Sequence, residues 1–136
     1  MSKMIFVDDE HKRFYEELKP LAGKDVYKLS LFYVLSISGT TRMHFESIYD
    51  KKESRIKPGA LKKGYQTGTS VKITRLAFNL WNGWVYDSVD DYEESKVSRY
   101  YAVDEIFCCE LAPYFWQAIK LRYPNYCEFD GIAVEY

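Results

Sequence analysis

The residues best suited to chemistry stand together in Gly64-Tyr65-Gln66-Thr67-Gly68-Thr69-Ser70, a loop that runs into an apolar helical pattern. Glycines at 64 and 68 free the backbone for positive φ and for close approach of a ligand. The unpaired N–H groups at the start of the following helix, together with its dipole, favour an anion. Thr67, Thr69 and Ser70 add hydroxyls, and Gln66 adds an amide. Lys57, Lys62, Lys63, Lys72 and Arg75 lie near enough in sequence to add positive charge. Tyr65 and Trp84, with Trp81 beside it, supply faces on which a base can stack. The pattern describes a phosphate or nucleotide pocket. It is not a P-loop, because the glycines are one residue too close and no Lys follows Gly68. The same residues also fit a plain turn followed by an N-cap.

Other groups are poorer candidates. His44, near Arg42 and Glu46, and His11, beside Glu10, have no nucleophile or partner at a telling spacing and read as surface histidines. Cys108 and Cys109, between Phe107 and Leu111, read as small buried filling, since Asp104, Glu105 and Glu110 would disfavour a thiolate. Asp90-Asp91 and Glu93-Glu94 read as a solvated face. With two histidines and three cysteines there is no metal-ligand spacing and no cofactor motif, so the reading is of a non-enzymatic protein.

Charge adds direction to this picture. The net charge is only −1, which argues against sequence-specific DNA binding. Yet in residues 51–75 eight bases face one acid, leaving +7, and in residues 87–136 eleven acids face four bases, leaving −7. Such a split can steer an anion to one face, unless the halves neutralise each other across the fold.

The positioning elements follow from periodicity. Residues 4–7 are a short apolar run that reads as a strand or as a lid on the core. Asp8 and Asp9 begin a helix over 9–19, with Phe14 and Leu18 on its buried stripe and Pro20 and Gly23 ending it. Asp25 caps a helix over 26–36 that is apolar nearly all round, closed by Gly39. Thr40 or Thr41 caps a third, with Phe45, Ile48 and Tyr49 on one side. Pro58 opens a short helical turn that Gly64 stops. Thr69 or Ser70 caps the central helix over 71–82, whose face is Val71, Ile73, Leu76, Ala77, Leu80 and Trp81, with Lys72, Thr74, Arg75 and Asn79 outward. Asn82-Gly83 is its left-handed stop. Residues 87–99 are acidic and turn-prone, residues 100–103 read as extended, and Asp104 caps a short helix. Pro113 opens a last helix over 113–123. The tail is β-prone at 132–134, where it can pair with residues 4–7.

The length of 136 residues fits one domain, with a core over 1–123 and a tail over 124–136. Aromatic residues make up 18% of the chain, enough to fill a small core and leave a stacking or docking surface. Three cysteines, no secretory leader and no long apolar run lead to the expectation of a cytoplasmic protein with no membrane span. The fold class expected is mainly α, a compact helical bundle of five to six short helices with at most a minor β element from the termini.

The series Phe32-Tyr33-Val34-Leu35-Ser36, Ile48-Tyr49-Asp50, Ile56-Lys57-Pro58, Leu61, Gly64-Tyr65-Gln66-Thr67 and Leu76-Ala77-Phe78-Asn79-Leu80-Trp81-Asn82-Gly83 resembles a small family of Firmicute and phage-borne proteins of unknown function. Glu10-His11 with Phe14, and Trp116 through Tyr123, also fit. The resemblance spans about residues 4–123 and leaves the tail outside. Tyr65 and Trp81 stand where the family pattern has Trp and Tyr. The resemblance implies a mobile-element setting and brings no activity and no catalytic residues.

The functional expectation is a phage or mobile-element accessory protein that binds a phosphate-bearing small ligand, such as a nucleotide signal, and counteracts host defence. The alternative is an inhibitor or adaptor acting on a host protein, with the acidic half mimicking nucleic acid or the aromatics serving as hot spots. A homodimer through the aromatic surface is compatible with either.

Overall fold

The computed structural model describes residues 3–136. Asp8 caps α1 (Asp9–Ala22) by accepting from the His11 N–H at 2.8 Å. The helix runs through Pro20 in its last turn and stops at Gly23, whose φ of 58° lets its N–H return to Lys19 O. Its buried stripe is His11, Tyr15, Leu18 and Ala22, so Phe14 sits at the stripe's edge, packing on Phe45. Asp25 caps α2 (Val26–Leu35) by accepting from Tyr27 N and Lys28 N. Residues 30–35 are all buried, as the unbroken apolar pattern requires. The two serines at its C-terminal half bond to their own helix: Ser30 Oγ donates to Val26 O and Ser36 Oγ to Phe32 O. The hydroxyls are thereby satisfied inside the core.

Gly39 does not close α2. Ser38 caps a new helix, α3 (Gly39–Met43), and His44 separates it from α4 (Phe45–Ile48). The chain then makes a two-stranded antiparallel hairpin, β1 (Tyr49–Asp50) with β2 (Arg55–Ile56), in which Tyr49 pairs with Ile56 and Asp50 with Arg55. The turn is closed by the Asp50 carboxylate, which accepts from Lys52 N and Glu53 N, and by Ser54 at φ 53°. Those backbone donors hold the Asp50 carboxyl below its usual range. Pro58 opens a 3-10 turn, Pro58–Lys62.

Helix α5 (Gly68–Asn82) packs chiefly on α2, and α2 also touches α1 and α8. The hydrophobic centre is therefore the α2–α5 pair rather than α5 alone. Ile73, Ala77 and Phe78 of α5 and Leu31, Val34 and Leu35 of α2 are fully inaccessible. Gly83 ends α5 at φ 77°, the left-handed stop expected of Asn82-Gly83. Beyond it come α6 (Val89–Glu93), a 3-10 turn (Arg99–Tyr101), α7 (Val103–Ile106) and α8 (Ala112–Arg122). Residues 100–103, read as extended, are thus a 3-10 turn running into α7. Arg122 ties α8 to the end of α5 by donating from Nε to Leu80 O at 2.9 Å, with its guanidinium 3.8 Å from the Tyr27 ring.

The fold is mainly α, as the periodicities require, but two features differ from expectation. There are eight short α-helices among the described residues, and the β element comes from the middle of the chain, not from the termini. Side chains explain the second difference. Ile5 N donates to Gln117 Oε1, Ile5 O accepts from Tyr33 OH at 2.7 Å, and Val7 N donates to His11 Nδ1. Residues 4–7 have no need of a partner strand, and residues 132–134 are exposed with no regular structure. Among the described residues no helix is long and apolar enough to cross a membrane.

Candidate functional site

The loop over residues 64–70 is built for capping. Thr67, not Thr69 or Ser70, is the N-cap of α5: its Oγ1 accepts from Ser70 N at 3.0 Å, and Ser70 Oγ accepts from Thr67 N at 2.7 Å. This is a capping box with Ser in the place usually held by Glu. Ser70 Oγ also donates to Gln66 Oε1 at 2.6 Å, and Gln66 Nε2 donates to Ala60 O and Thr74 Oγ1, both at 3.1 Å. Thr74 is buried, because its hydroxyl belongs to this network and donates to Ser70 O. Neither Gly64 nor Gly68 has positive φ, and a Cβ at either would meet nothing within 4 Å. The glycines therefore do not serve as the positive-φ positions expected of a phosphate loop.

The remaining expected residues divide into those already engaged and those free. Lys72 Nζ donates to Cys108 O at 3.3 Å. Arg75 Nη2 pairs with Asp87 at 3.2 Å, and its guanidinium lies 4.9 Å from the Tyr100 ring, while its buried Nε has no hydrogen-bond partner among the described residues. Trp84 donates from its indole to Tyr86 O at 2.7 Å and stacks on Tyr92. Lys57 Nζ donates to Glu46 O at 2.7 Å at an exposed position. Tyr65 bonds to Ser47 Oγ at 2.8 Å and lies flat on His44, with the ring centroids 3.7 Å apart. Lys62, Lys63 and Thr69 are exposed, and neither lysine forms an ion pair among the described residues.

The two histidines and Cys108 also come out differently. His11 is fully buried. Its Nδ1 accepts from Val7 N, so Nε2 carries the proton and donates to Tyr33 O at 2.9 Å. Burial is the main force that lowers its pKa to about 4, against the smaller opposing pull of the Tyr33 carbonyl. Its helical position, i and i+4 with Tyr15, was the available sign of burial. His44 is half-buried under Tyr65. Cys108 is exposed, because α7 ends before it.

What the structure brings together instead lies beside the hairpin. A cleft of about 370 Å³ is lined by the apolar Phe14, Leu18 and Phe45 and by Arg42, His44, Lys51 and Glu46, with Glu46 paired to Lys51 at 3.1 Å. A second, of about 250 Å³, is lined by Tyr49, Lys51, Lys52 and Lys57 with Glu46 and Asp50. Lys52 and Arg55 are exposed and form no ion pair among the described residues. Arg42, His44, Phe14, Lys51, Lys52 and Arg55 were outside the set expected from the loop. Three of them were visible in the basic run over residues 51–75.

Arg75–Asp87 is the one ion pair among the described residues that joins the basic run to the acidic one. Direct pairing between the two halves is thus confined to this contact among the described residues.

No curated protein and no solved structure matches the chain. One family model does, over residues 1–133, reaching into the tail that the resemblance left out. Its pattern covers nearly the whole chain, including the α2–α5 core, the hairpin and α6. The chain belongs to the family of unknown function DUF6075.

Proposed function

We propose that this protein is a non-enzymatic binding module whose basic hairpin face takes a phosphate-bearing small molecule. The observation that carries the reading is the unneutralised charge on the hairpin side, where Lys52, Arg55, Lys62 and Lys63 have no acidic partner among the described residues. An anion is drawn to such a surface, and an adjoining cleft with an apolar floor gives a ring or base somewhere to sit. Phe14 and Phe45 line that cleft with Arg42, which also donates to Ser36 O, and Lys51, which also pairs with Glu46. A nucleotide joins the two chemistries in one molecule, with its phosphates toward Lys51, Lys52 and Arg55. The site thereby moves from the loop over residues 64–70 to the neighbouring hairpin and keeps Lys57 and Tyr65 at its border.

The resemblance to Firmicute and phage-borne proteins is the reason to place immune nucleotide signals first in a ligand panel. Calorimetric titration of the folded protein with cyclic dinucleotides, ADP-ribose, mononucleotides and inorganic phosphate is the test. The expected result is binding of at least one nucleotide, weakened by salt and by the Lys52→Glu/Arg55→Glu pair. Silence across the panel would sink the reading.

A further inference from the structure

We propose that the aromatic face around α6 docks an arginine-bearing segment of a partner protein. This is a second surface, independent of the hairpin. Helix α6 buries none of its residues, yet it is held in shape. Ser88 caps it by accepting from Asp91 N at 3.0 Å, and Tyr92 lies against Trp84 with ring centroids 5.4 Å apart and planes 21° from parallel. Tyr86 meets both rings edge-on, at 5.3 Å from each. The neighbouring 3-10 turn is fastened to the same strip: Tyr101 OH donates to Tyr86 O at 2.8 Å, and Ser98 N donates to Val85 O at 2.8 Å. A short helix that packs nothing into the core contributes little to folding. Its aromatic ring is on display instead: Tyr92 is 53% exposed, with Val89, Val97 and Tyr100 exposed near it in sequence.

Charge and ring chemistry select the occupant. Asp90, Asp91 and Glu93 flank Tyr92 and form no ion pair among the described residues. An exposed π face with carboxylates around it attracts a cation, and a planar guanidinium stacks on it better than an ammonium does. The chain already uses this chemistry next door. The Tyr100 ring lies 4.9 Å from the Arg75 guanidinium and 4.8 Å from that of Arg99. The Trp84–Tyr92 stack, by contrast, has no arginine or lysine over it among the described residues. An arginine from outside completes the same arrangement there.

The test uses the full chain and two synthetic peptides, one alternating Arg and Gly, the other Lys and Gly, titrated at low salt. The Arg peptide is expected to bind more tightly than the Lys peptide, by about threefold to tenfold. It should also shift the Trp84 indole resonance. The Tyr92→Leu variant, its fold checked by circular dichroism, should bind both peptides equally and weakly. Equal affinity of the wild-type protein for the two peptides, an unchanged Arg preference in Tyr92→Leu, or no binding at low salt each overturns the proposal. The Lys52→Glu/Arg55→Glu variant should bind the Arg peptide at least as well as wild type does, so failure of the hairpin reading is read out separately.

Discussion

His11 is held through both ring nitrogens, so its ionisation is coupled to folding. The neutral ring donates from Nε2 to Tyr33 O and accepts at Nδ1 from Val7 N. A proton on Nδ1 would destroy the second bond and place a charge in the core. The folded-state pKa is about 4 against an ordinary 6.5, so the unfolded chain takes up the proton first as the solution is acidified. The stabilisation is complete above pH 6.5 and is lost as pH falls toward 4, on the order of 3 kcal/mol in all. Urea midpoints measured from pH 7 to pH 4 should fall accordingly, and a His11→Leu variant should be less stable at pH 7 with a flatter acid limb. A second residue-scale prediction concerns Thr67. Thr67→Ala removes the N-cap and should cost about 1 kcal/mol by thermal unfolding while leaving nucleotide titrations unchanged. Loss of binding without loss of stability would return the loop to candidacy as a site. Neither role was legible in the sequence: His11 read as a surface histidine, and the cap was expected at Thr69 or Ser70, two or three residues past Thr67. That a Gln66 amide would bind the loop to Thr74 and Ala60 was hidden too, because that pairing depends on how the 3-10 turn lies against α5.

At the level of elements, periodicity was the reliable signal and backbone punctuation the ambiguous one. The helices α1, α2, α5 and α8 were legible because each keeps an apolar face over at least ten residues. Their starts at Asp8 and Asp25 were legible from side chains that cap locally. The hairpin was missed because its strands are two residues long and its turn relies on Asp50 and Ser54 rather than Gly. Glycine misled in both directions. Gly39 starts α3 where it was expected to close α2, and Gly64 and Gly68 adopt no conformation peculiar to glycine. Gly83 does, at φ 77°. Gly83→Ala should therefore destabilise the protein by about 1 kcal/mol, whereas Gly64→Ala and Gly68→Ala should be neutral or slightly stabilising. Thermal denaturation of the three variants distinguishes these outcomes. A marked loss at Gly68 would mean that a Cβ there meets something the structure does not contain.

For the whole molecule, the polarity of charge is the property most visible in the sequence and least dependent on fold detail. Its survival was not legible, because two oppositely charged segments can as well be folded against each other. Among the described residues Arg75–Asp87 is the one ion pair between the two segments, its side chains 17% and 28% exposed. Removing this pair with Arg75→Met should loosen the Tyr100 region and leave Asp87 uncompensated, lowering stability by roughly 1–3 kcal/mol. Denaturant titration measures that loss. The N-terminal segment carries a different whole-molecule consequence. Residues 4–7 have no regular structure, yet their backbone is fastened to α1 by His11, to α2 by Tyr33 and to α8 by Gln117. The Val7 amide can exchange its hydrogen with solvent only when that fastening opens, and the opening disrupts contacts to three helices at once. In a native-state exchange experiment Val7 should be protected nearly as long as the α2 amides, so that an irregular segment at one end of the chain reports the opening of the entire core.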